Sequence, residues 1–236
     1  PDGFSLACVM EREDPRDAWV SPHCAGVADL PPNAVVGTSS LRRVVLLREA
    51  LARLGRSDVR IEPLRGNLDT RLRKLDEGGY DAIVLATAGL KRLGLGHRIR
   101  CSLPVEQMLP SAGQGALGLE IRSDRSDLSV WQAALGELNH TPTWLACQAE
   151  RAVSRAMGGS CSMPLAAFAE WHRAPESPTP AATLHLRALL GHPLENRWVE
   201  AQQTAVVLDT LQAQALGEAV AQALKAQAGD AWLAAL

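Results

Sequence analysis

From Val35 to Gly94 the sequence repeats one pattern three times: an apolar strand, a short polar turn and a helix. No other feature restricts the fold as much. Val35 and Val36 close a strand, Gly37 to Ser40 form a hydroxyl-rich turn, and a helix is predicted from Leu41 to about Leu54. Val59 to Leu64 is the second strand, Arg65-Gly66-Asn67 its turn, and Leu68 to Glu77 a helix with Leu68, Leu72 and Leu75 on one face. Gly78-Gly79 stops that helix. Tyr80 to Ala86 follows, apolar along DAIVLA as a strand covered on both faces should be. Ala88 to Leu90 then turns into a short helix carrying Lys91 and Arg92 and ending at Gly94. Consecutive strand–helix units predict an α/β layer with a parallel-rich sheet and right-handed crossovers.

The turns of these units carry arginines. A helix start leaves backbone N–H groups without acceptors, so Ser39 or Ser40 can cap one and an outside anion can take others. Arg42 and Arg43 stand in that first turn, where the helix dipole disfavours cations. An anion at the site accounts for them; a solvated arginine pair is the plainer alternative. Arg65, Arg71 and Arg92 fall at the same carboxyl edge of the expected sheet, where ligands of such sheets bind. Neither GxGxxG after a strand nor GxxxxGK[ST] is present, which argues against a nucleotide. Guanidinium forks on separate turns suit a molecule with several carboxylates.

A chain of 236 residues can bury a real core and is long enough for two domains. Its net charge of −2 argues against general nucleic-acid binding. The charge is uneven: Arg42 to Arg100 holds 14 basic against 7 acidic residues, and the remainder 10 against 19. A local positive field of this kind concentrates an anionic substrate. No apolar run is long enough to span a membrane, and no signal peptide opens the sequence. Five widely spaced cysteines fit neither a disulfide framework nor a zinc site, and a reducing cytoplasm is the expected setting. The histidines form no metal-ligand pattern.

Phe4 to Met10 can form a strand, whereas EREDPRDAWVS is expected as a charged surface turn and short helix. Leu103 to Leu109 is predicted to be a short helix, followed by a Gly-rich crossing, Pro110 to Gly115, in which Gln114 can donate into a cleft. ALGLEI is a strand and Leu128 to Leu138 a helix. Thr141-Pro142 starts a helix running to about Ala156. Beyond Gly158-Gly159 comes Cys161, flanked by Ser160 and Ser162, either an accessible nucleophile or attachment point or a small buried thiol. Leu165 to Trp171, Thr183 to Leu190 and Trp198 to Thr204 read as a short antiparallel sheet, and Leu208 to Ala226 as an Ala-Leu helix. From about Thr141 to the end these elements make a compact α+β unit.

VVGTSSLRR, LRGNLDTRLRKLDEGGYDAIVLATAGLKRLGL, LPSAGQGALGLEIR and ERAVSRAMGGSCSMPLAAFAEW, in this order, closely resemble the porphobilinogen deaminase (hydroxymethylbilane synthase) family over nearly the whole sequence. The resemblance implies domains like type 2 periplasmic binding proteins and a small C-terminal α+β domain. It implies a transferase joining four porphobilinogen molecules into hydroxymethylbilane, with release of ammonia. It also implies a dipyrromethane cofactor on a thioether to Cys161, with Ser40, Arg42, Arg43, Arg65 and Arg71 holding the cofactor and Arg92 and Gln114 serving the growing chain. By the same resemblance 1–109 is domain 2, 110–140 the returning part of domain 1, and 141–236 domain 3. The family often reads GGCQVP where this sequence has Gly158-Gly159-Ser160-Cys161-Ser162-Met163-Pro164, and Val44 to Asp58 is longer than usual. The family's catalytic aspartate lies upstream of Pro1, so this stretch alone is expected to be inactive. A cytoplasmic monomer without nucleic-acid or membrane partners is expected. Leucine at Arg42 or Arg65 is expected to stall elongation with the fold intact. A non-enzymatic anion-binding module, with no adduct on Cys161, is the alternative class.

Overall fold

A computed structural model describes residues 3–159, 163–173, 182–192 and 195–234. Its central sheet has five strands in the order β4-β3-β5-β2-β6. These are β2 (Asp17–Val20), β3 (Val35–Gly37), β4 (Arg60–Glu62), β5 (Ala82–Ala86) and β6 (Cys101–Ser102). β3 runs parallel to both β4 and β5, as the repeated units predict, and β2 is antiparallel to β5 and β6. Helix α1 (Leu41–Arg53) follows β3, α2 (Leu68–Asp76) follows β4, and α3 (Thr87–Arg92) follows β5.

Both faces of this sheet are covered, which explains the unbroken apolar runs. Trp19, Val36, Ala82 and Val84 pack with Leu46, Leu47 and Leu51 of α1. Their alternates Ala18, Val20, Ile83 and Leu85 pack with Leu72 and Leu75 of α2 and Leu90 of α3. The caps follow the turn chemistry. Ser40 accepts from the backbone N–H of Arg43 (3.5 Å) and Asn67 from that of Thr70 (2.9 Å).

Two local expectations are corrected. The Asp17–Val20 part of EREDPRDAWVS is a buried strand and not a surface turn or helix. Between Leu103 and Leu109 the chain makes only a turn, in which Gln107 and Met108 donate to the Pro104 carbonyl. Pro104 and Pro110 bracket that stretch and leave little room for a helix.

β1 (Phe4–Val9) pairs antiparallel with β7 (Gly118–Arg122), and α4 (Leu128–Gly136) follows β7. The C-terminal unit has α5 (Thr141–Ala156), the antiparallel strands β8 (Leu165–Arg173), β9 (Ala182–Gly191) and β10 (Trp198–Val206), α6 (Thr210–Ala228) and a short α7 (Asp230–Leu233). The expected α/β layer and small α+β unit are therefore both present. In the second, Leu184, Leu186, Ala188 and Leu190 of β9 pack under Ala149 and Val153 of α5 and Val220 and Leu224 of α6. The opposite sheet face meets the central layer, where Ala166, Phe168 and Leu189 join the cluster around Trp19.

Helices α5 and α6 approach closely at Gly217, where an added Cβ would lie 2.2 Å from the Ala149 carbonyl oxygen. That neighbour is helix backbone and cannot swing aside. Gly217→Ala is expected to cost about 1–3 kcal/mol, read as a lower urea midpoint at constant m-value.

Candidate functional site

The first turn of α1 drives two guanidinium groups into the protein, and Asp17 at the start of β2 meets both. Asp17 is fully buried, Arg42 only 3% exposed and Arg43 9%. Asp17 Oδ2 accepts from Arg42 Nη1 (2.8 Å), and Oδ1 accepts from Arg43 Nε (3.0 Å) and Nη2 (2.7 Å). Arg42 Nη1 also donates to the Leu109 carbonyl (2.7 Å), and Arg43 Nη1 to that of Val84 (3.0 Å). Burial alone would raise the Asp17 pKa, but the charges and hydrogen bonds of Arg42 and Arg43 outweigh it, and the value lies below the ordinary one. Burial lowers the Arg42 pKa against the pull of Asp17, and the charge of Arg43 adds to the lowering.

Gln114 completes this knot from the Gly-rich crossing. Its Nε2 donates to the Pro15 carbonyl (2.6 Å) and to Asp17 Oδ1 (3.0 Å). Its Oε1 accepts from Arg42 Nη2 (3.1 Å) and from Ser111 Oγ (3.1 Å). One carboxylate serves two guanidiniums, so the cluster keeps one net positive charge. The Nε of Arg42 is buried with no hydrogen-bond partner. Arg42 also lines a cavity of about 250 Å³, together with Ser40, Ser111, Ala112, Ser154, Gly159, Met163 and Leu165. Beyond Ser154 and Gly159 a second space of about 400 Å³ is lined by Arg151 and Arg155 of α5.

The other expected residues stand at differing distances from this knot. Arg71 is half-buried and donates through Nε to the Gly66 carbonyl (2.8 Å). Burial first, then the charge of Arg43, lowers its pKa, so it shares the field of the buried pair. Arg92 Nη2 donates to the Gly115 carbonyl (2.8 Å), next to Gln114. Arg65 is exposed in the turn after β4, and among the described residues its guanidinium makes no hydrogen bond or ion pair with the cluster. Cys161 lies outside the described residues. Sequence reasoning missed Asp17 and also Glu150, a fully buried carboxylate of α5. Glu150 accepts from Arg12 Nη1 (2.8 Å) and Nη2 (2.7 Å), and from the backbone N–H groups of Gly113 (2.6 Å) and Ala169 (2.8 Å). It thereby ties β8 and α5 to the crossing that carries Gln114. Neither acid has a local sequence signal, since their partners lie far along the chain.

The shift of Asp17 gives a pH dependence with a definite sign. A carboxyl with a depressed folded pKa stabilises the fold above its unfolded value, 3.8 for Asp, and that contribution is lost as the pH falls toward the folded value. The stability difference between the native chain and Asp17→Asn is therefore expected to stay constant from pH 7 to about 4 and to shrink below it. Thermal melts at stepped pH check this.

The family model described as "Porphobilinogen deaminase, dipyromethane cofactor binding domain" matches residues 1–130, and "Porphobilinogen deaminase, C-terminal domain" matches 144–226. A porphobilinogen deaminase of Albidiferax ferrireducens is 58% identical over 227 residues, covering 96% of this chain and 67% of that protein. One from Paraburkholderia phytofirmans is 53% identical over 227 residues, covering 96% and 62%. Among solved structures, a putative methionine-binding lipoprotein of Bacillus subtilis superposes with a TM-score of 0.39 at 11% identity, over 60% of this chain and 63% of that one, too slight a likeness to carry an argument. The chain spans 62% to 67% of the length of these two deaminases. By the match of both family models and the identity to these relatives, the chain belongs to the porphobilinogen deaminase family.

Proposed function

We propose that this chain supplies the arginine-lined and cofactor-bearing parts of a porphobilinogen deaminase, which joins four porphobilinogen molecules into hydroxymethylbilane with loss of ammonia. The observation that carries the proposal is the buried Arg42–Asp17–Arg43 knot, with its surplus positive charge, whose Arg42 lines a cavity together with Ser40, Ser111 and Ser154. A dipyrromethane bearing several carboxylates fits those donors. Gly159, two residues before Cys161 in the sequence, lines the cavity, and this supports the reading of Cys161 as the point of attachment. When bound, the dipyrromethane provides the pyrrole to which the first substrate is joined.

The residues of this chain bind and orient. Ser40, Arg42, Arg43 and Arg71 hold carboxylates of the cofactor, and Asp17 and Gln114 fix the two buried guanidiniums in place. Arg65, solvated at its turn, takes a carboxylate as the chain of pyrroles lengthens, and Arg92 and Gln114 border its path. Holding each incoming ring in line removes much of the entropic part of the barrier. In this reading 1–109 forms domain 2, 110–140 belongs to domain 1, and 141–236 forms domain 3. The protein acts as a cytoplasmic monomer on a small-molecule substrate. Among the described residues no helix is long and apolar enough to cross a membrane.

Intact-mass spectrometry tests the attachment. The protein that carries this chain, first domain included, is expected to carry a dipyrromethane-sized increment that Cys161→Ser abolishes. An unmodified native mass, or an increment that persists in Cys161→Ser, overturns the assignment of the thiol.

A further inference from the structure

On the far half of α1, away from the arginine knot, a cavity of about 470 Å³ opens between that helix, residues 26–28 and the segment 101–107. Its volume falls in the range of small-molecule sites. Leu46, Ala50 and Leu54, one stripe of α1, form an apolar wall that Leu103 faces from the other side. Glu49 and Glu106 bring acids to this wall. The side chain of Glu49 is only 13% exposed, and its ion-pair partner Arg53, one turn on, is 75% exposed. The acid is thus drawn out of water while its counter-charge stays in it. Burial first raises the Glu49 pKa, Arg53 offsets part of that, and the charge of Glu200 adds to it. The thiol of Cys101 shares the cavity and is raised by burial and then by the charge of Asp29. Arg53 is the one basic side chain in the lining. The lining thus sets two carboxylates against one guanidinium, and an apolar wall with one surplus negative charge complements a guest with an apolar body and one positive charge.

We propose that this cavity binds a small amphipathic organic cation, a primary amine on an apolar body, whose ammonium meets Glu49 and Glu106 while its body lies against the α1 stripe. The site is separate from the arginine knot and does not depend on the activity proposed above.

Phenethylamine, protonated at pH 7.5, is a suitable probe, with phenylacetate as its anionic counterpart. Calorimetric titration of the native protein is expected to show the amine binding at least roughly tenfold more tightly than the acid. Glu49→Gln is expected to weaken the amine by roughly tenfold and to leave phenylacetate no weaker. Bound amine is expected to slow alkylation of Cys101 by N-ethylmaleimide, followed by peptide mass. Ala50→Phe, which fills the cavity from a helical position, is expected to abolish amine binding. Should that variant fail to fold, Gln107→Trp at the exposed rim serves the same purpose. Equal affinity for amine and acid, no detectable binding of the amine, or full binding in the filled variant overturns the proposal.

Discussion

Asp17→Ala is expected to lower the stability of the protein by about 3–5 kcal/mol, since it strands two buried guanidiniums. Arg42 and Arg43 keep their bonds to the Leu109 and Val84 carbonyls, but no carboxylate remains between them. Two like charges then face each other in a site that is nearly closed to water. Asp17→Asn keeps the shape and an acceptor and should fall between the native chain and the alanine variant. Urea unfolding of all three measures the order. A loss below about 1 kcal/mol for Asp17→Ala would place this knot among ordinary surface pairs and contradict the reading of a buried charge cluster.

The second large effect separates binding from folding. In the protein that carries this chain, Arg65→Leu is expected to reduce turnover of porphobilinogen by about 10²-fold, the scale of one lost charge-assisted carboxylate contact. Its melting temperature is expected to stay put, because the Arg65 side chain is exposed and the carbonyl that accepts from Lys74 remains in the variant. Arg42→Leu is expected to lose both activity and stability, because Asp17 then keeps only one of its two cationic partners. Sequence alone predicted an intact fold for both changes, and burial is what divides them. An Arg65→Leu protein with native turnover would remove Arg65 from the site.

The three strand–turn–helix units were legible because each leaves a local periodicity: Leu68, Leu72 and Leu75 on one helix face, and DAIVLA as an unbroken run between two covered faces. The ends moved by a residue or two, as helix and strand termini do. β2 was hidden because its four residues follow EREDPR, a charged run that reads as solvent-facing. Half of the candidate site was legible too. Arginines in the first turn of α1 do require an anion against the helix dipole. The first anion they meet is Asp17, at 25 and 26 residues' remove, a distance at which no spacing rule operates. The same holds for Glu150, which reaches Arg12 across 138 residues. Long-range pairing of this kind is set by the sheet order, where β2 lies beside β5 and opposite the start of α1, and that order is a property of the folded chain.

The most direct measurement supplies porphobilinogen to the protein that carries this chain and follows ammonia and pyrrole together. One ammonia is expected for each porphobilinogen consumed, with hydroxymethylbilane as the product of four. Porphobilinogen that stays unconsumed, or ammonia released without a linear tetrapyrrole, would contradict it.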